Sequence, residues 1–250
     1  MTGAVAHRVV AITGAGGALG AAIARRLADE PGTDLVLSDV SAESLAATTG
    51  PLVDAGARTA TVLADVSDFS QVEAVVQLAV DRFGHLDVLI SNAGVLAPNG
   101  RIHNLATEDW ERAFRVNVLG AVNGIRAAVA VMRVQRSGSI ILTASVAGMT
   151  AWSHSAPYCA TKAAVIELAK VAAVEYARDG IRVNCVCPGT FRSAIHTGLP
   201  QEALDAIAAR HPLGLGSATD LVGADSYLAS DDSRWTTGSA LVIDGGYSAP

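Results

Sequence analysis

Seven short apolar runs punctuate the chain: Val9-Val10-Ala11-Ile12, Leu35-Val36-Leu37, Thr61-Val62-Leu63, Val88-Leu89-Ile90, Ile140-Ile141-Leu142, Val183 to Val186 and Leu241-Val242-Ile243. Most are rich in β-branched residues and lack polar alternation, the pattern of strands buried on both faces. Longer amphipathic stretches lie between them, among them Ala18 to Asp29, Ser67 to Phe83, Glu108 to Met132 and Pro157 to Asp179. Strand and helix patterns in alternation predict an α/β chain, with a parallel sheet of about seven strands, helices on both faces and right-handed crossovers. No linker, low-complexity tract or fixed-period repeat divides it, so residues 1–250 are expected to form one domain. The least regular stretch is Gly189 to Pro212, which is read as a substrate loop with a short helix over Gln201 to Arg210.

Composition narrows the classes. Half of the 250 residues are apolar and 17% are charged, enough to bury a large core. The net charge is -6 and no run of Lys or Arg occurs, which argues against a nucleic-acid partner. Cys159, Cys185 and Cys187 form no C-x-x-C and no Cys/His ligand set, so no metal site is expected and free intracellular thiols are. The segment Met1 to His7 has no signal-peptide pattern, and the apolar stretch after it is too short to span a bilayer. The expectation is a soluble cytoplasmic protein with no membrane partner.

The first run is followed by Thr13-Gly14-Ala15-Gly16-Gly17-Ala18-Leu19-Gly20. Glycine there permits a tight turn and close approach of a phosphate, which the next helix would meet with free N–H groups. The strict G-x-G-x-x-G spacing is not met, because Leu19 stands where the third glycine would fall. Asp39 ends the second run, 19 residues after Gly20. An acid at that spacing accepts hydrogen bonds from an adenine ribose and repels a 2′-phosphate. Neither Arg nor Lys occurs from Leu27 to Ala57, so NAD is expected over NADP. The bland alternative makes Asp39 a helix cap, a task Ser41 could take instead.

A second cluster follows. Tyr158 and Lys162 stand four apart in a helical pattern and so share a face. An ammonium there would lower the phenol pKa from about 10 and make Tyr158 a general acid/base. Ser145 closes the run at Ile140-Ile141-Leu142, 13 residues before Tyr158. Asn92-Ala93-Gly94 closes another run, and Asn117 sits between two valines. Strand ends of open α/β sheets are where ligands bind. His154, His196 and Arg192 fall near the expected substrate mouth, and Trp152 and Met149 are read as pocket lining or core.

These residues carry a resemblance to the classical short-chain dehydrogenase/reductase family over essentially the whole chain. The matching elements are the glycine-rich turn, Asp65-Val66, Asn92-Ala93-Gly94, Asn117, Ser145, Tyr158 with Lys162, Pro188-Gly189 and Asp244-Gly245-Gly246. The resemblance implies a Rossmann-like, doubly wound fold and hydride transfer between NAD and a small-molecule secondary alcohol or ketone. It implies that Ser145 binds the substrate oxygen, Tyr158 exchanges its proton, Lys162 holds the nicotinamide ribose, and Asn117 anchors a water linking Lys162 to solvent. Gly14, Gly16, Gly17, Leu19, Gly20, Asp39, Asp65, Val66, Asn92, Gly94, Phe191 and Ser193 would complete the cofactor site. A homotetramer built on the two long helices and the last strand is implied too. Two departures stand out: Ala18 replaces a family glycine, and Phe191 and Ser193 replace a β-branched residue and Thr. A 3-oxoacyl carrier-protein reductase and a non-catalytic NAD-binding regulator are the alternatives. Asp39 speaks against the first, and intact Ser145, Tyr158 and Lys162 against the second.

Overall fold

A computed structural model describes residues 7–193 and 200–249. His196 and Gly198 lie outside the described residues. The seven predicted strands are present: β1 (Arg8–Thr13), β2 (Thr33–Asp39), β3 (Arg58–Leu63), β4 (Val88–Ser91), β5 (Gly138–Thr143), β6 (Ile181–Pro188) and β7 (Ala240–Ile243). They form one sheet in the order β3-β2-β1-β4-β5-β6-β7, and every pairing is parallel. The winding direction reverses between β1 and β4, so a crevice opens beyond their carboxyl ends, where ligands of such sheets bind.

The eight α-helices among the described residues are α1 (Ala18–Ala28), α2 (Ala42–Asp54), α3 (Phe69–Phe83), α4 (Thr107–Ala113), α5 (Gly120–Gln135), α6 (Ala156–Tyr176), α7 (Gln201–Ala208) and α8 (Ala218–Ala229). They make two cores. On one face α3, α5 and α6 bury Val76, Met132 and Ile166 against Leu89, Ile140 and Val183. On the other, α1, α2 and α8 bury Ile23, Leu45 and Leu228 against Val10, Leu37 and Ile141. Cys185 and Cys187 fall in the first core, as their spacing along a strand requires.

Two expectations change. The run at β3 is not buried on both faces: it is the sheet edge, and Leu63 is exposed there. The pattern Glu108 to Met132 is not one regular helix either, because Phe114–Leu119 forms a π-helical turn between α4 and α5. The continuous run Thr107–Gln135 is long and apolar enough to cross a membrane by length and composition, and half of its most apolar window is buried inside the protein.

One buried charge has a measurable consequence. Asp225 on α8 is enclosed, its Oδ1 has no hydrogen-bond partner, and burial raises its pKa to about 7. A raised folded-state pKa stabilises the fold at acid pH and loses that contribution as pH climbs, by about 1.4 kcal/mol per unit until the folded pKa is passed. Asp225→Asn is therefore expected to melt higher than the parent at pH 8 and to show no such gain at pH 4. Thermal melts at the two pH values check this, and an equal shift at both would refute it.

Candidate active site

The glycine turn is built by close packing. Gly14 has φ +65°, and a Cβ there would stand 2.8 Å from Ala93 Cα. A Cβ on Gly20 would stand 2.2 Å from the Gly14 carbonyl oxygen. The turn runs through Gly16 and the N-cap Gly17 into α1, whose first turn carries neither a side-chain cap nor an acid. Its free N–H groups and positive end suit an anion. Ala18, the departure from the family pattern, is exposed, and Leu19 beside it is half-buried.

Asp39 stands over this turn. Its Oδ2 accepts from the Gly16 N–H at 2.9 Å and its Oδ1 from the Ser41 N–H at 2.9 Å. Ser41 is the cap of α2, accepting from the Ser44 N–H, so the capping role falls to Ser41 and not to Asp39. A carboxylate has about four acceptor sites, so Asp39 keeps capacity for ribose hydroxyls. Asp65 is exposed just past β3 and accepts from the Ser67 N–H, and the Val66 carbonyl accepts from buried Asn123.

Asn92 is half-buried beside the glycine turn. Its Nδ2 donates to the carbonyls of Thr13 and Gly14, both at 3.1 Å, so its carboxamide braces the turn. Gly94 is exposed on the crevice lip, where a Cβ would come 3.2 Å from Asn117 Oδ1 and 3.4 Å from Lys162 Nζ.

Ser145 follows β5 and is buried, accepting from the Ala147 N–H at 3.1 Å. Its hydroxyl donates to the Pro188 carbonyl at 3.5 Å and lies close enough to Tyr158, on the first turn of α6, to favour the phenolate. Lys162 is buried one turn on; its Nζ donates to the Thr143 carbonyl at 2.6 Å and lies 5.7 Å from the Tyr158 ring centroid. The three predicted groups are thus brought together at the carboxyl ends of β4 and β5.

Their electrostatics depart from the expectation. Burial pushes the Tyr158 phenol above its ordinary value, and the nearby Ser145 hydroxyl only partly offsets this. Burial, rather than the Lys162 ammonium that donates to Thr143, sets the direction of this shift. Lys162 is itself lowered to about 8, chiefly by burial. The chain alone therefore keeps Tyr158 protonated at neutral pH while its neighbour titrates close to it.

Asn117 is buried in the π-helical turn, which aims its carboxamide across the site. Oδ1 accepts from the Val95 N–H at 2.8 Å, and Nδ2 donates to the Val95 carbonyl at 2.9 Å and to Thr161 Oγ1 at 3.0 Å. Both amide hydrogens are used, so the side chain positions α6 against the Gly94 loop.

Beyond β6 lie the residues expected at the carboxamide. Phe191 makes a bridge to Gly216, and Ser193 is half-buried. Arg192, Met149 and His154 are exposed, His154 with a left-handed φ of +67°. Sequence reading missed three residues here. His211 is buried, and its Nε2 accepts from the Thr190 N–H at 3.2 Å. Tyr247 packs on His211, ring centroids 4.8 Å apart, and on Trp152 at 6.2 Å with an edge-on tilt of 75°. Arg210 lies over the other part of this cluster, 4.8 Å from the Tyr247 centroid. Trp152 completes the row 6.3 Å from Tyr158. The Asp244-Gly245-Gly246 turn, with left-handed φ at both glycines and Asp244 accepting from Gly246 and Ser248, delivers Tyr247 to it.

Known proteins share this plan. A family profile described as enoyl-(acyl carrier protein) reductase matches residues 14–248. The chain is 39% identical over 247 residues to cis-4-hydroxycyclohexanecarboxylate dehydrogenase of Sinomonas cyclohexanicum, covering 98% of each. Among solved structures it resembles NAD+-bound xylitol dehydrogenase at 30% identity and TM-score 0.91, covering 96% of this chain and 98% of that one. It also resembles a gluconate 5-dehydrogenase from Burkholderia cenocepacia J2315 in complex with NADP and tartrate, at 32% identity and TM-score 0.91, covering 98% and 97%. Sequence and fold agree over nearly the full length, and the chain belongs to the classical short-chain dehydrogenase/reductase family.

Proposed function

We propose that this protein is an NAD(H)-dependent dehydrogenase/reductase that interconverts a secondary alcohol and its ketone, with Tyr158 as general acid/base. The observation that supports the reading most is the gathering of Ser145, Tyr158 and buried Lys162 at the carboxyl ends of β4 and β5. The cradle fits a dinucleotide: two glycines whose side chains would collide with backbone, and a helix end free of caps and acids. When bound, the nicotinamide supplies the hydride chemistry, and the protein supplies placement.

In this reading Ser145 Oγ orients the substrate oxygen and Tyr158 Oη passes it a proton during ketone reduction. In the reverse direction Tyr158 takes that proton back. Lys162, lowered to about 8, restores the phenol's protonation state near neutral pH and holds the ribose side. Gly14, Gly16, Gly17, Leu19 and Gly20 line the pyrophosphate, Asp65, Val66 and Gly94 the adenine and ribose side, and Phe191 and Ser193 the carboxamide side. Residues 189–212 form the substrate loop. The carrier-protein reductase and the regulator are less favoured: Asp39 opposes a 2′-phosphate, and the catalytic hydroxyls are intact. Three free cysteines fit a reducing cytoplasm. Exposed Val134, Val171 and Val174 on α5 and α6 fit a homotetramer built on those helices.

Cofactor choice tests the reading. With one active alcohol, kcat/KM measured at the NADH absorbance is expected to favour NAD over NADP. Asp39→Ala is expected to narrow that ratio about 10- to 100-fold, the worth of a charge-assisted hydrogen bond. The ratio cancels any common loss from freeing the Gly16 N–H. Equal use of NADP by the parent would defeat the Asp39 argument.

A further inference from the structure

Past the end of β6 the backbone is tied down one amide at a time. The Gly189 N–H donates to the Ile243 carbonyl at 2.9 Å, and the Arg192 N–H donates to the Gly216 carbonyl at 2.9 Å. Between them the Thr190 N–H has a side chain as its acceptor: Nε2 of His211, at 3.2 Å. The stretch begins at Pro188, whose carbonyl accepts from the Ser145 hydroxyl at 3.5 Å. His211 therefore grips the backbone two residues from the group that meets Ser145, and directly before Phe191.

The imidazole is fully engaged. His211 is 4% exposed and follows α7 in the chain. Its Nδ1 lies 2.9 Å from the Ile207 carbonyl, and Tyr247 packs on its ring at 4.8 Å. A carbonyl only accepts and an amide N–H only donates, so one tautomer satisfies both contacts, with the hydrogen on Nδ1 and Nε2 bare. With both nitrogens spent, the ring is not placed to exchange a proton with a substrate. Closing the end of α7 accounts for the Nδ1 contact alone. The Nε2 contact does something else: it joins segments 21 residues apart.

We propose that His211 is a positioning residue for the nicotinamide half of the cofactor, acting through the Thr190 backbone. The proposal rests on the NAD(H) reading, in which Phe191 and Ser193 take the carboxamide side. Removing the acceptor at Nε2 leaves the Thr190 N–H without its bond in a half-buried place, and the residues that follow lose their anchor. The adenine half is insulated from the change, because Asp39 ends β2, with β1, β4 and β5 between it and β6.

Two substitutions separate the contacts of the ring. Glutamine carries its amide oxygen as many bonds from Cα as Nε2, and asparagine carries its amide at the reach of Nδ1. His211→Gln thus keeps an acceptor for Thr190, whereas His211→Asn keeps a donor for Ile207 and falls short of Thr190. Both take the ring from Tyr247, so a common fall in Tm does not separate them. Titrations with NADH and with ADP-ribose, which lacks the nicotinamide, read the two halves of the cofactor apart. His211→Asn is expected to raise the NADH Kd about 5- to 10-fold while its ADP-ribose Kd stays within about 2-fold of the parent. His211→Gln is expected to bring the NADH Kd back to within about 2-fold. Equal NADH affinities of the two variants overturn the proposal and leave the NAD(H) reading standing. So does an ADP-ribose loss in His211→Asn that matches its NADH loss. A parent that binds neither NADH nor ADP-ribose overturns both.

Discussion

Tyr158→Phe is expected to lower kcat/KM by about 10²- to 10⁴-fold, the usual contribution of a positioned proton donor. Phenylalanine keeps the ring beside Trp152 and removes only the hydroxyl near Ser145. Thermal stability and NADH binding should therefore stay near parental values while turnover collapses. The pH profile gives a second check. Burial holds the phenol above its ordinary pKa, so ketone reduction should keep its rate through neutral pH. Alcohol oxidation, which needs the deprotonated group, should gain as the solution becomes alkaline. The variant should lose that contrast. Turnover within about 5-fold of the parent would remove Tyr158 from the reaction.

The second large effect is structural. Gly20→Ala places a Cβ 2.2 Å from the Gly14 carbonyl oxygen and 2.9 Å from Ala15 Cα. Both obstacles are backbone, so no rotamer change relieves them. Overpacking of this kind costs up to about 3 kcal/mol. For a chain of this length that is a fall in Tm of roughly 6–12 °C. NADH affinity should drop at least about 10-fold as well, because relief of the clash must move the turn proposed to face the pyrophosphate. Gly223→Ala on α8 is the control: the position is exposed and a Cβ there meets nothing within 4 Å. Melting curves and NADH titrations of both variants decide the matter. Equal behaviour of the two would mean that close packing at Gly20 does not shape the cofactor turn.

Much of the site was legible in the chain because its signals are local. A glycine-rich turn, an acid at a strand end, and a tyrosine and lysine four residues apart each report chemistry within one element. The structure gathers Gly14, Gly20, Asp39, Ser145, Tyr158 and Lys162 along one edge of the sheet, as those signals require. Asn92 and Asn117 stand out for the same reason, but their hydrogen-bond partners do not. Which atoms a carboxamide meets depends on neighbours far away: Thr13 and Gly14 for Asn92, Val95 and Thr161 for Asn117. The phenol shows the same limit. Spacing puts an ammonium one turn away, but burial decides the sign of the shift.

By itself the amino-acid order determined the seven strands and the parallel α/β arrangement and singled out Ser145, Tyr158 and Lys162 as candidates, since hydrophobic period and motif spacing are properties of neighbouring residues. Tertiary structure alone decided that β3 is an exposed edge, that a π-helical turn interrupts the long helix at Asn117, and that Tyr247 and His211 join Trp152 beside Tyr158. Those outcomes come from how segments pack across the sheet. Burial and proximity between residues nearly a hundred positions apart leave no trace in local periodicity.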